Sequence, residues 1–146
     1  MPPAAAVRNA AEYRLLKFHL NRAEGNVFTG HGPGFVRLGI VDYCDNIVVT
    51  PEKIITAWAP KGFGALAPDD FAVIAALKPE VALLGTGATI RFPHPRLTRA
   101  LTDAGIGLEV MDTPAACRTF NILAAEGRKV AVAILIDPVA PPNAVG

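Results

Sequence analysis

The sequence predicts an α/β domain with a β-rich N-terminal portion, and three observations predict it. Short runs rich in β-branched and aromatic residues crowd the stretch from Val27 to Ala59: 35-FVRLGIV-41, 46-NIVVT-50 and 53-KIITAWA-59. The second half alternates, with apolar runs suited to buried strands at Val81–Leu84, Ile106–Met111 and Val130–Ile136 separated by stretches of helical spacing. Successive strand and helix segments of this length imply crossover connections over a central sheet whose two faces are both covered.

The elements follow in order. In the β-rich portion, 42-DYCDN-46 supplies the turn between the first two runs, and the whole reads as an antiparallel meander. The segment 60-PKGFGALAPDD-70 is punctuated by Gly and Pro, and Pro68 with Asp69 and Asp70 marks a helix start that Phe71, Ile74 and Ala75 continue at helical spacing. Leu97, Ala100, Leu101 and Ala104 recur at i, i+3, i+4 and i+7 on a helix that Gly105 ends. A last helix runs from Pro114 to Glu126, with Gly127 as its stop and Thr113 as the expected N-cap. We therefore expect a flexible N-terminal extension over residues 1–24, a single α/β domain over 25–136, and a Pro-rich, extended or disordered tail over 137–146.

A chain of 146 residues that is 51% hydrophobic and 18% charged is long and apolar enough to bury one core without disulfides or metals. Its net charge of +1, with both signs interspersed, provides no basic stripe, which excludes nucleic acid as the expected partner. Cys44 and Cys117 form no Cys-x-x-Cys pair, and His19, His31 and His94 share no ligand spacing, so neither a metal nor another cofactor is expected. The first 25 residues lack the apolar core of a secretory signal, and no run approaches the roughly 18–20 apolar residues of a membrane span. A reducing, cytoplasmic setting is the expectation.

The stretch 83-LLGTGATIRFPHP-95 carries the first candidate site, because loops after the carboxyl ends of strands in α/β sheets are where ligands collect. A dinucleotide turn needs a third glycine where Ile90 stands and a helix opening directly on the loop, whereas Pro93 and Pro95 delay any helix to about His94. Gly85, Thr86, Gly87 and Arg91 thus either frame a pocket for an anionic ligand or turn a tightly packed corner. Arg118 and Asn121, three residues apart on an otherwise apolar helix, either join that pocket or hydrogen-bond to backbone and hold the layers together. Cys117 lies near a helix N-terminus beside Arg118, but no histidine stands near it in sequence, and an inert buried thiol is expected. No catalytic residue set is spelled out.

The runs 83-LLGTG-87 and 105-GIGLEVMDTPAACRTFNILAAEGRKVAVAIL-135 resemble the family catalogued as domain of unknown function 498, over roughly residues 25–136. The most specific parts are the Gly-Thr-Gly loop, Met111-Asp112-Thr113, Arg118-Thr119, Asn121 and Glu126-Gly127-Arg128. The resemblance implies three layers, with a central mixed β-sheet flanked by helices and an attached antiparallel portion. The family includes bacterial and archaeal proteins without assigned activity and a mitochondrial assembly factor for respiratory complex I. It therefore implies a non-enzymatic accessory factor with a protein partner, in a membrane-associated complex, and brings no catalytic residues with it. Two departures from its pattern are Phe120, where tyrosine is common, and Cys117, where a small residue is usual. A protein-contact role predicts an exposed apolar patch, expected around Trp58 and Phe63.

Overall fold

A computed structural model describes residues 9–11, 14 and 25–139; all but four residues of the expected N-terminal extension and all but the first three of the expected tail lie outside the described residues. The strands are β1 (Phe28–Gly32), β2 (Phe35–Leu38), β3 (Val41–Tyr43), β4 (Ile47–Val49), β5 (Ile54–Ile55), β6 (Val81–Thr86), β7 (Gly107–Met111) and β8 (Val130–Leu135). Helix α1 (Pro68–Ala76) precedes β6, α2 (Arg99–Asp103) precedes β7, and α3 (Thr113–Ala125) precedes β8.

The β-rich portion divides between two sheets. Strands β1, β2 and β3 form the antiparallel meander, while β4 and β5 pair with each other and join the large sheet, whose order is β5-β4-β8-β6-β7. The meander turns at Pro33-Gly34 and at Gly39-Ile40, with Gly34 and Gly39 both at positive φ, and not at 42–46; that later segment carries the chain from one sheet to the other. The large sheet is mixed, as the family resemblance implied: β8, β6 and β7 are parallel, and β4 runs antiparallel to β8. Thus α2 and α3 each lie within a parallel crossover.

Two cores lie on the two faces of this sheet. Ala82 and Leu84 of β6, with Ala131, Ala133 and Leu135 of β8, face Trp58, Phe71, Ile74 and Leu101. Leu83, Val130, Val132 and Ile134 face the opposite side, against Phe28, Val36, Leu38, Cys117 and Phe120. The alternation explains why β6 and β8 read as continuous apolar runs, since a central parallel strand has no face left for water. Alanines on one face accommodate the edge-to-face pair Trp58–Phe71, with ring centroids 6.2 Å apart. Bulkier Val and Ile on the other face support Phe28 against Phe120 at 5.3 Å. Burying each such large side chain contributes about 1.5–3 kcal/mol.

Trp58 is 4% exposed and donates its indole N–H to the Asp70 carbonyl at 2.8 Å. Phe63 is half-buried against the same core. The expected apolar patch is therefore not at these two residues; among the described residues the exposed large hydrophobic side chains include Phe92, Ile40, Val139, Ile122 and Ile90.

Candidate functional site

The candidate residues of β6 stand at the carboxyl crest of the three parallel strands, where β6, β7 and β8 release their chains side by side. Gly85 is the packing position. A Cβ there would come within 2.9 Å of the Ala116 Cβ and 3.1 Å of the Thr113 Cα, so glycine lets the first turn of α3 lie directly on the strand. Thr86 is fully buried, and its hydroxyl donates to the Thr89 carbonyl at 2.6 Å while accepting the Arg91 backbone N–H at 3.0 Å. The loop after β6 is thereby folded back on the strand that it leaves.

Gly87 and Thr113 are bound twice. The Gly87 N–H donates to Thr113 Oγ1 at 2.8 Å, and the Thr113 N–H donates to the Gly87 carbonyl at 2.9 Å. The same hydroxyl donates to the Leu135 carbonyl at 2.9 Å. One buried threonine thus joins the ends of all three parallel strands. This corrects the expected cap: Asp112 is the N-cap of α3, accepting the Ala115 N–H at 2.8 Å, which leaves the Thr113 hydroxyl available to the crest.

Arg91 closes the loop from outside. Its guanidinium donates to the Thr86 carbonyl through Nε at 3.2 Å and through a terminal nitrogen at 2.8 Å. That nitrogen also meets Asp137 Oδ1 at 3.3 Å, and the group lies over the Phe63 ring, 4.7 Å from its centroid. The second oxygen of Asp137 accepts the Ala88 N–H at 3.0 Å, and a Cβ on Gly87, whose φ is +89°, would overlap this carboxylate. A carboxylate of the chain itself therefore occupies the position that an external anion would take, held by one backbone N–H and one guanidinium.

Arg118 and Asn121 lie elsewhere. The Asn121 side chain accepts the Phe28 N–H at 2.9 Å and donates to the Phe28 carbonyl at 2.8 Å, a two-point clamp of α3 on β1. Arg118 is exposed and has no hydrogen-bond or ion-pair partner among the described residues. Neither residue lines the cavity of about 450 Å³ beside the crest, which is bounded by the turn His31–Phe35, Gly87-Ala88, Thr113-Pro114 and Leu135–Val139. Among the described residues no lysine or arginine lines that cavity. Cys117 is 2% exposed, and burial pushes its thiol up to about 12 against the opposing influence of Arg118, so it is protonated at neutral pH and a poor nucleophile.

Two structural anchors were not singled out in the sequence. Asn46 donates to the Ala59 carbonyl at 2.8 Å and accepts the Ile136 N–H at 2.7 Å, and Asp137 was assigned to the tail. A signal existed for Asn46, a buried-type position between a turn and an apolar run; none marked Asp137, whose contacts lie 46 and 49 residues away. Among the described residues no group of three or more His, Cys, Asp or Glu could hold a metal, and no helix is long and apolar enough to cross a membrane.

The layers and the braced crest define a mixed-sheet α/β domain of three layers. The chain belongs to the family described as protein of unknown function (DUF498/DUF598), whose model matches residues 28–135. A zebrafish protein named NADH dehydrogenase [ubiquinone] 1 alpha subcomplex assembly factor 3 is 36% identical over 133 residues, covering 87% of this chain and 75% of that protein. The mouse protein of that name is 33% identical over 93 residues, 62% of this chain and 50% of its own length. This chain thus spans about half the length of the mouse and bovine relatives it matches. The crystal structure of a Bordetella parapertussis protein shares 38% identity and superposes with a TM-score of 0.72, covering 77% of this chain and 96% of that one.

Proposed function

We propose that this protein is an accessory factor without catalytic activity of its own that acts through protein–protein contacts in the assembly of a respiratory NADH dehydrogenase. The observation that carries this reading is the 36% identity, over 87% of the chain, to a protein named as an assembly factor for that enzyme. The candidate site agrees with it. Gly85, Thr86, Gly87 and Arg91 are engaged with Thr113, Asp137 and the strand ends, so the groups that would recruit an external anion already have partners inside the protein. Asn121 serves the packing of α3 on β1. On this reading the domain is residues 25–136, its setting is the cytoplasm, and its partners are protein subunits of a membrane-associated complex.

The test is deletion of the gene in the organism that encodes it, followed by native electrophoresis of membranes with an in-gel stain for NADH oxidation. Loss of the assembled enzyme, restored by the full chain and equally by a Cys117→Ala chain, is the expected result. An unchanged amount of assembled enzyme would overturn the reading.

A further inference from the structure

The strand order leaves the large sheet with two edges, β5 and β7. β5 has two residues and offers little to pair with. β7 has five, bonded in parallel to β6 along one side only. On its other side, backbone N–H and C=O groups between Gly107 and Val110 have no partner among the described residues. Soluble proteins usually cover or blunt so long an edge.

The two faces flanking this edge differ in chemistry. On the side of α1 and α2, Leu108 and Val110 open onto a groove of about 560 Å³ whose other walls include Phe92, Pro93, Pro95 and Ile106, and among the described residues no charged residue lines it. Phe92 is 75% exposed and Ile90, at the start of the same loop, 52%. On the opposite face Glu109 is exposed, with no hydrogen-bond or ion-pair partner among the described residues. Successive side chains of a strand laid against β7 would therefore meet, in turn, an apolar groove and an unpaired carboxylate.

We propose that β7 is a strand-addition site for an extended segment of a partner protein that reads apolar, basic, apolar. The apolar side chains enter the groove beside Phe92, the basic one pairs with Glu109, and the open backbone groups of β7 supply the hydrogen bonds. A second copy of this chain fits less well, because antiparallel pairing of β7 with itself centred on residue 109 places Glu109 against Glu109. The inference rests on the protein-contact reading above and specifies its surface and the chemistry of the partner.

The test is an NMR titration of the full-length, isotope-labelled chain with two blocked peptides, Thr-Val-Lys-Val-Thr and Thr-Val-Glu-Val-Thr. The lysine peptide should shift and protect alternate amides of Gly107–Met111 and shift Phe92, and the glutamate peptide should bind about tenfold more weakly. Glu109→Lys should reverse that preference while leaving distant amides unmoved. The proposal is overturned by shifts confined to other strands, by indifference to peptide charge, by outward β7 amides that are already protected in the free chain, or by a dimer in sedimentation that pairs through β7. The two readings fail separately. If gene deletion lowers the assembled dehydrogenase and the Glu109→Lys chain restores it fully, strand addition falls and the assembly role stands. If deletion changes nothing, the assembly role falls, and the titration alone decides the fate of β7.

Discussion

Strands β6 and β7 pair residue by residue from Val81–Gly107 to Gly85–Met111, yet they have opposite surroundings. β6 is flanked by strands on both sides and ends in a corner where Thr113 bonds Gly87 and Leu135, and Asp137 bonds Ala88 and Arg91. No buried side-chain nitrogen or oxygen among the described residues is left without a partner. β7, one strand away, has, among the described residues, a bare side, an unpaired carboxylate and a neighbouring apolar loop. The glycine-rich loop, where a ligand would first be sought, is a brace, and the plain strand beside it is the surface with unmet hydrogen bonds. Internal satisfaction marks structure, and its lack on an ordered strand marks a place for a partner.

The contrast is broken most directly at Thr113. Thr113→Val keeps the shape but removes the hydroxyl, leaving the buried Gly87 N–H without an acceptor and the Leu135 carbonyl without a donor. The expected loss is about 3 kcal/mol in chemical denaturation; a loss under about 1 kcal/mol would mean that the crest does not brace the sheet. Gly87→Ala should cost about 2 kcal/mol, because its φ of +89° disfavours a side chain and the new Cβ would displace the Asp137 carboxylate.

A pH effect of intermediate size comes from the buried face of α3. Burial holds the Cys117 thiol protonated up to about 12, while in the unfolded chain it ionises near 9.0. Ionisation therefore favours the unfolded chain above pH 9. The associated stability is fully present below pH 9 and is lost as pH rises toward 12, at a slope of up to about 1.4 kcal/mol per unit. Comparing Cys117→Ala with the parent across pH 8–10.5 checks this: the variant should lose less stability over that range.

Smaller effects sharpen the comparison. Asp137→Asn weakens a pair whose side chains are 50% and 39% exposed, so the expected loss is about 1 kcal/mol or less. Faster amide exchange at Ala88 is the more sensitive readout. Glu109→Gln at this edge should move stability by no more than about 0.5 kcal/mol, since no described residue pairs with that exposed carboxylate. A larger loss would mean that Glu109 has a partner within the chain.

Much of the fold was legible. The apolar runs of β6 and β8, Pro68 at the start of α1, and Gly105 and Gly127 past the ends of α2 and α3 each encode a local preference that the fold keeps. The division of the N-terminal strands between two sheets was not legible, because β3 and β4 are both runs of three residues whose pairing partners leave no mark in so short a sequence. The candidate site was half legible. Gly85, Thr86, Gly87 and Arg91 do converge, but Asn121 finds its partner 93 residues away in sequence at Phe28.

The sequence by itself determined the class of the fold, the boundaries of most elements from Pro68 onward and the family, because these depend on local periodicity, on glycine and proline, and on a contiguous motif; it marked no strand at β1 and read β2 and β3 as one run. Only the tertiary structure decided that Asp137 fills the glycine loop, that Thr113 joins three strand ends and that β7 forms an edge of the large sheet among the described residues. Those outcomes depend on which backbone groups meet across the sheet, and residues far apart in the chain bear no local mark of the partner that chain topology brings to them.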